Sequence, residues 1–531
     1  MSTILLGVSL VILLCILSQR FSYKLGIPAL IFFMFVGMLF GSDGPVGIEY
    51  NNFASAEMIC SIGLIFIMFD GGFNTNWEVA KKTAGKAALL STAGVFLTDI
   101  IATAILHYVF HLSWQESFLI SSVLASTDAA SVFAILKANN LDLKDGTSSI
   151  LEVESGSNDP MAYLLTITAI GFMQGSGPGN IVLTIILQIA LGFLMGFLFS
   201  AISQFIMSRK DIITDSLDIM FVVAIMLLCY AVTDKIGGNA YLSVYLLGIF
   251  LGNSRINTKK AITVFLDEIT NNVQILIFFI IGLLTTPSEM PSSILRSFHV
   301  ALTLSFIARP LMTIILLMPL KCSFRQCMLI SWAGLKGASS IVFAIVAVSS
   351  GISLSMDLFH VVFLVSLFTI LVQGTLLPTV SRKLNMIDEN PDIFKTFNDY
   401  DDTVDFQFTR LHIPEGSEWA GKKVKELGIP KGLQVIMIRR DGKSIAARGK
   451  SVIKTGDDVI MNTASYTPAK NEYVRQVYIY KNHEWVNRTV EDLHMPDNQL
   501  IIMDIRGDEK IIPNGDTVIR EGDTLLIFNG N

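Results

Sequence analysis

The chain has 531 residues, 52% of them hydrophobic and only 16% charged, and a mean hydropathy of +0.57. That composition excludes an ordinary soluble domain and describes a polytopic membrane protein. The formal net charge of −6 sums two unlike regions and says little about partners, among which no nucleic acid is expected: 20 of the 39 Lys and Arg precede Leu384 and 19 lie in the last 148 residues, so an apolar part is followed by a polar tail.

The apolar part resolves into 13 segments near the length a bilayer demands, about 20 residues each. They span residues 3–19, 26–41, 57–73, 86–107, 115–136, 149–173, 180–207, 213–233, 239–252, 268–285, 296–318, 326–350 and 357–381. The first lacks a basic leader and reads as an uncleaved helix rather than a signal peptide. Basic residues collect at every second boundary: Arg20 and Lys24; Lys81, Lys82 and Lys86; Lys137 and Lys144; Arg209 and Lys210; Arg255, Lys259 and Lys260; Lys321 and Arg325; Arg382 and Lys383. The opposite loops hold only Lys235 and Arg296. This asymmetry puts the N-terminus outside and the tail in the cytoplasm. Cys15, Cys60, Cys229, Cys322 and Cys327 form no metal-ligand spacing and read as small core residues. No phosphate loop or dinucleotide fingerprint is present, which argues against an ATP-driven pump; neither an enzymatic activity nor a bound cofactor is expected.

Five ionisable residues from five segments reach similar depth. Asp159 lies nine residues past Ile150 and Asp128 nine before Lys137, about 13 Å from the membrane edge at roughly 1.5 Å per residue. Asp70, Arg309 and Lys336 are similarly central. A charge at the centre of a membrane helix costs about 2.5 to 3.5 kcal/mol on insertion scales, so such residues carry a function or an internal partner. Asp99 and Asp218 read equally well as packing elements.

The sixth segment carries "ESGSNDP", Glu154 to Pro160. Ser155 and Asp159 are i and i+4, as are Glu154 and Asn158, so the four crowd one side of the helix. Pro160 removes an amide donor and presses on the carbonyl of Gly156. Carboxylate, hydroxyl and carbonyl oxygens together suit a hard monovalent cation. The fifth and twelfth segments hold "LASTDAAS" and "AGLKGASS", small-residue runs with one charge at mid-depth. Seven segments apart, they run in opposite directions, the mark of inverted repeats with interrupted helices crossing near the midplane.

The order "FDGG", "STDAAS", "ESGSNDP", "ARPL" and "GLKGA" resembles the monovalent cation/proton antiporters of the NhaP and CvrA kind over residues 1–383. The resemblance implies that Asp159 binds the cation or the proton, with Thr127, Asp128 and Ser155 completing the shell and Asp70 among the ion-binding residues. Asn158 would help to hold the crossing, and Glu154 would pair with Arg309. Lys336 stands where the motif commonly has Arg, and its role is left open. A core domain moving against a dimer-forming domain in a homodimer is also implied, in a bacterial inner membrane. K⁺ is favoured over Na⁺ by the variant motifs and the tail. A carboxylate holding either a proton or a cation would make the exchange electroneutral.

The tail contains an internal repeat. "EWAGKKVKELGIP" and "EWVNRTVEDLHMP" align at an offset of 66, and the later "IKTGDDVIM" and "IREGDTLLI" are matched by allowing one extra residue. Each unit reads as a strand, a short helix ending near proline, and further strands with Gly-Asp turns. The units resemble the C-terminal ligand-binding half of RCK domains, also called TrkA-C, without the nucleotide-binding half. The resemblance implies regulation by a small ligand, a nucleotide such as cyclic di-AMP being the expected type. The expected architecture is an all-α polytopic domain of about 13 helices at 1–383, a linker at 384–405 and a small cytoplasmic α+β tail, with lobes at 406–466 and 472–531. Two rival classes are weaker: an intramembrane aspartyl protease lacks its Gly-x-Gly-Asp signature, and a tail-gated cation channel lacks a Thr-Val-Gly-Tyr-Gly filter.

Overall fold

The computed structural model describes residues 2–25, 28–75, 83–139, 141–175, 178–209, 217–254, 256, 258–388, 406–430, 433–440, 443–464, 473–481, 483–496, 499–507 and 509–529. The basic residues 81, 82, 210 and 255, and the linker from 389 to 405, lie outside them. Two compact units are present, Met1–Asp392 and Ile393–Asn531.

The first unit is built of helices: α1 Ser2–Leu25, α2 Ala29–Phe40, α3 Phe53–Asn74, α4 Ala84–Phe110, α5 Trp114–Val123, α6 Ala129–Ala138, α7 Thr147–Met173, α8 Pro178–Met207, α9 Asp218–Lys235, α10 Ala240–Gly252, α11 Lys259–Leu284, α12 Pro291–Leu320, α13 Phe324–Trp332, α14 Ala338–Ser349 and α15 Leu358–Lys383. Among the described residues fifteen helices thus stand where about 13 segments were expected, because the fifth and twelfth segments are each two helices with a five-residue break. Six, α3, α4, α8, α11, α12 and α15, are long and apolar enough to cross a membrane. Polar caps fix several starts: Asn52, Ser113, Asn239, Ser323 and Asp357 each accept the backbone N–H three residues on. α7 continues through Pro160 without a break.

Packing sorts the helices into two groups. In one, α10 packs on α3, α8 and α9, and α11 on α2 and α3; in the other, α4 packs on α5, α5 on α7, and α12 and α14 on α15. The groups meet where α14 lies against α3 and α7 against α10. Two hydrogen bonds tie that seam: Ser157 Oγ donates to Tyr245 Oη (2.9 Å), and Asn239 Nδ2 donates to the carbonyl of Pro160 (2.7 Å).

The second unit contains two antiparallel sheets. The first comprises β1 Phe406–His412, β2 Gln434–Arg440, β3 Lys443–Ala446 and β4 Asp458–Ala464 in the order β1-β4-β2-β3; the second comprises β5 Tyr473–Tyr478, β6 Gln499–Arg506, β7 Glu509–Ile511 and β8 Thr524–Asn529 in the order β5-β8-β6-β7. The register corrects two expectations. No extra residue separates the repeats: the bulge at Val435/Met437 recurs at Ile501/Met503 and the bridge Lys423–Val452 at Thr489–Val518, all 66 apart. The expected short helix is a single 3₁₀ turn in each lobe, Val424–Glu426 and Glu491–Leu493. Its backbone donors are taken instead by the facing segment, as when Val424 N bonds to the carbonyl of Ser451 (2.9 Å), so no α-helix propagates.

Candidate functional site

The two breaks, Leu124–Asp128 between α5 and α6 and Ala333–Gly337 between α13 and α14, complete each other. Every half-helix end leaves backbone groups without intrahelical partners. Asp128 N donates to the carbonyl of Leu335 (2.9 Å), and Lys336 Nζ reaches back to the carbonyl of Ser126 (2.9 Å). Lys336, 3% exposed, therefore serves the crossing: its ammonium sits on a carbonyl just past the C-terminal end of α5, where a positive charge is favoured. Its own amide N donates to Thr369 Oγ1 (3.2 Å) in a π-helical turn of α15.

Close approach at the crossing requires two glycines. A Cβ at Gly337 would lie 2.5 Å from Cβ of Asp128, and one at Gly334 would lie 2.1 Å from Nε of Arg309. The Gly-Leu-Lys-Gly run thus admits an acid from one side and a guanidinium from the other. Arg309, placed directly after the π-helical turn Thr303–Ala308 of α12, donates through Nη2 to Glu154 Oε1 (2.9 Å) and Oε2 (3.2 Å), with both residues buried.

Asp159 on α7 faces the crossing. Ser126 Oγ donates to its Oδ1, and Ser339 Oγ donates to its Oδ2 (2.6 Å). Among the described residues it has no ion pair within contact distance. The sequence reading missed both serines; each lies inside one of the two small-residue runs, which was the available signal. Thr127 is held twice, its carbonyl accepting from Ser155 Oγ (2.6 Å) and its Oγ1 from Asn158 Nδ2 (2.5 Å). Asp128 caps α6: Oδ1 accepts from Ser131 N (3.1 Å) and Oδ2 from Ser131 Oγ (2.5 Å).

A cavity of about 220 Å³ brings Thr127, Asp128, Ser155 and Asp159 together with Ser339. Its walls come from both helix groups, with Gly71 and Asn74 of α3 and Gln274 of α11 facing α7 and α14. Asn74 and Glu152 are exposed and Asp159 is only 6% exposed, so the cavity runs from a polar mouth to a buried floor. Glu152 was not anticipated. Asp70 was; the α3 positions in the wall are Ile67, Met68, Gly71 and Asn74, and Asp70 reaches the wall through Asn74, accepting from its Nδ2 (2.8 Å), an amide that also reaches Asp267 Oδ1 (3.2 Å). One residue along a helix is a rotation of about 100°, enough to move a side chain from the wall to its back.

Residues 9–383 match the family described as sodium/hydrogen exchanger, transmembrane. The chain belongs to that family. It is 31% identical over 461 residues to the K(+)/H(+) antiporter NhaP of Alkalimonas amylolytica, covering 86% of this chain and 80% of that protein. It is 32% identical over 449 residues to the K(+)/H(+) antiporter NhaP2 of Shewanella baltica (strain OS223), covering 83% and 77%. The sodium proton antiporter MjNhaP1 from Methanocaldococcus jannaschii, 21% identical, shares the fold of the exchanger with a TM-score of 0.63 over 72% of this chain and 99% of that one. The exchanger is thus a multi-pass membrane transporter of antiporter type, not an enzyme.

Its tail matches the TrkA-C domain twice, at 408–462 and 474–528. In each lobe an arginine clamps a buried aspartate: Arg440 Nε and Nη2 bond to Asp457 (2.7 Å each), and Arg506 Nε and Nη2 to Asp523 (2.8 Å each), again 66 apart. The Arg440 guanidinium holds the Asp457 carboxyl below the usual aspartate range. In the second lobe a buried Asp504 stands at the position of the core residue Ile438, and burial, followed by the charge of Asp523, pushes its pKa up.

Proposed function

We propose that the exchanger moves a cytoplasmic K⁺ outward against an inward H⁺, one for one, by alternating access at Asp159. The observation that carries this reading is a buried carboxylate on the floor of a cavity between two helix groups, its oxygens held by hydroxyls. Hydroxyls can turn their lone pairs to a cation, which a lysine or arginine partner could not do. A proton or a monovalent cation each neutralises the one charge, which makes the cycle electroneutral. Thr127 and Ser155 lend oxygen to the shell; Asp128 contributes through its cap and its charge at the cavity wall; Asn158, Glu154, Arg309 and Lys336 hold the crossing.

K⁺ is favoured because the relatives of 31% and 32% identity are named K⁺/H⁺ antiporters; Na⁺ is the alternative. The reading includes 13 crossings, counting each broken helix once, with the N-terminus outside and the tail in the cytoplasm of a bacterial inner membrane. The mouth at Asn74 and Glu152 is then the cytoplasmic opening. The group of α2, α3 and α8–α11 would form the homodimer; α8, whose large apolar residues from Val182 to Phe205 are mostly exposed, supports this. The division at 383, 406–466 and 472–531 gives a transport domain and two regulatory lobes, with a small ligand such as cyclic di-AMP acting on the tail.

Asp159→Asn in reconstituted vesicles tests the core of the proposal. K⁺-driven proton movement, read by dye dequenching and compared with Na⁺, is expected to vanish while the protein still inserts and elutes as wild type. Normal exchange by the variant removes Asp159 from the mechanism.

A further inference from the structure

The duplicated tail supplies its own control for a surface that transport does not use. In the first lobe the segment 421–425 runs antiparallel to 449–453: Gly421 N bonds to the carbonyl of Ile453 (2.8 Å), Ile453 N to that of Lys422 (3.0 Å), and Lys425 N to that of Gly449 (3.1 Å). This ribbon and its flanks present Lys422, Lys423, Lys425, Arg448, Lys450 and Lys454, all exposed. Of these six, only Lys423 has an ion pair among the described residues, with Glu426 at 3.9 Å. The second lobe builds the same ribbon with the same bonds, Asn487 N to Ile519 O (2.8 Å), Ile519 N to Arg488 O (3.0 Å) and Glu491 N to Gly515 O (3.0 Å). There the six positions hold Arg488, Thr489, Glu491, Asn514, Asp516 and Arg520. Two of the six positions keep a cation there and two carry an acid, so the fold does not need all six. The full set of like charges, which repel each other, occurs in the first lobe alone.

We propose that this ribbon of the first lobe docks on anionic lipid headgroups at the membrane surface. Side chains spread along an exposed ribbon match many dispersed headgroups, and clustered Lys and Arg beside a membrane segment are drawn to an anionic leaflet. The tether keeps the lobe in reach. Residues 386 and 388 are hydrogen-bonded to residues 144 and 142 of the transport unit, and the 17 residues from 389 to 405 span at most about 60 Å before β1. The inference does not rest on which ion is exchanged.

The test uses the full chain in lipid nanodiscs. A donor dye is placed by Thr455→Cys, and in parallel by Glu521→Cys at the matching position of the second lobe; both sites are exposed, and the five native cysteines are buried. Acceptor dye is carried on headgroups, in discs of phosphatidylcholine alone or with phosphatidylglycerol added. Energy transfer from 455 is expected to rise about twofold with phosphatidylglycerol and to fall back when salt of about 0.5 M shrinks the screening length to about 4 Å. The variant K422Q/K423Q/K425Q/K450Q is expected to lose the rise with the lobe melting unchanged, and transfer from 521 is expected to respond less. Transfer from 455 that is indifferent to phosphatidylglycerol, as pairing with the acidic second lobe of the same or another copy would give, overturns the proposal. So does displacement from the anionic disc by inorganic phosphate at unchanged ionic strength, which would make the ribbon a discrete phosphate site.

Discussion

Gly334→Ala tests whether the glycines of the twelfth segment exist to admit the buried ion pair. The added methyl would sit 2.1 Å from Nε and 2.3 Å from Cδ of Arg309, where unstrained contact needs about 3.5 Å. The guanidinium must retreat by about 1.4 Å, stretching its 2.9 Å bond to Glu154 past hydrogen-bond range. Glu154 is 1% exposed and Arg309 4%, so neither charge can turn to water. Breaking a buried pair while leaving both charges in place costs about 3–5 kcal/mol, or roughly 6–10 °C at about 2 °C per kcal/mol for a large domain. Fluorescence-detected melting on a size-exclusion column measures this. Arg309→Met with Glu154→Gln removes both charges, and in that background Gly334→Ala is expected to cost less than about 1.5 kcal/mol, the range of a tolerated volume change. An equal loss in both backgrounds, or none in the wild type, refutes the reasoning.

Ser126→Ala and Ser339→Ala each remove one donor from Asp159 and are expected to raise the apparent Km for the cation about 5- to 10-fold, one charge-assisted hydrogen bond each, with maximal rate kept; initial-rate curves in vesicles check this. Asp70→Asn keeps an acceptor for Asn74 and lies behind the wall, so exchange is expected to stay within about threefold of wild type on the scale of a rim charge; a loss as deep as that of Asp159→Asn would put Asp70 in the site. The two tail lobes should respond differently to acid, because Asp457 and Asp523 are both held low beside an arginine and only the second lobe adds an aspartate held high. Asp457, held low by Arg440, contributes stability that is lost as pH falls below about 4, the range of an unpaired aspartate, whereas Asp504, held high by burial, favours the folded lobe most when protonated and costs stability as pH rises through its folded pKa. Asp504→Ile, which installs the residue of the first lobe, gives up a 3.0 Å bond from Arg506 Nη2 that Asp523 still engages, and is expected to stabilise the second lobe by about 1 kcal/mol at neutral pH, read as a later tail transition in calorimetry.

What could be read from the sequence is what depends on position along one helix. Glu154, Asn158 and Asp159 were legible because a charged run inside an apolar segment is costly wherever it points, and the repeat in the tail because its apolar and Gly-Asp spacing recurs. Residues whose role is set by a second segment were not. Depth and charge put Asp128 in the ion shell, and it lines the cavity; that it also caps α6 through Ser131 was not foreseen. Ser126 and Ser339 look like the other small residues around them, and only the meeting of two breaks aims them at Asp159. For Asp70 the sequence gives depth but not direction, since an apolar helix with little amphipathic contrast does not disclose which face turns inward.

The crossing also constrains how access can alternate. Asp128 N is satisfied by Leu335 O, and Ser126 O by Lys336 Nζ, so each break supplies partners for the other's backbone groups. Opening one break alone would leave buried donors and acceptors unpaired, at about 1–3 kcal/mol for each group. The seam between α7 and α10 is cheaper to disturb, since among the described residues it is tied by single side-chain donors, Ser157 to Tyr245 and Asn239 to the Pro160 carbonyl, rather than by backbone groups that complete each other. The proposed cycle is therefore best served by α4–α7 and α12–α15 moving as one body past α2, α3, α10 and α11, carrying Asp159 and both breaks with it. A disulfide across the seam should then stop exchange, whereas one joining the two breaks should leave it running.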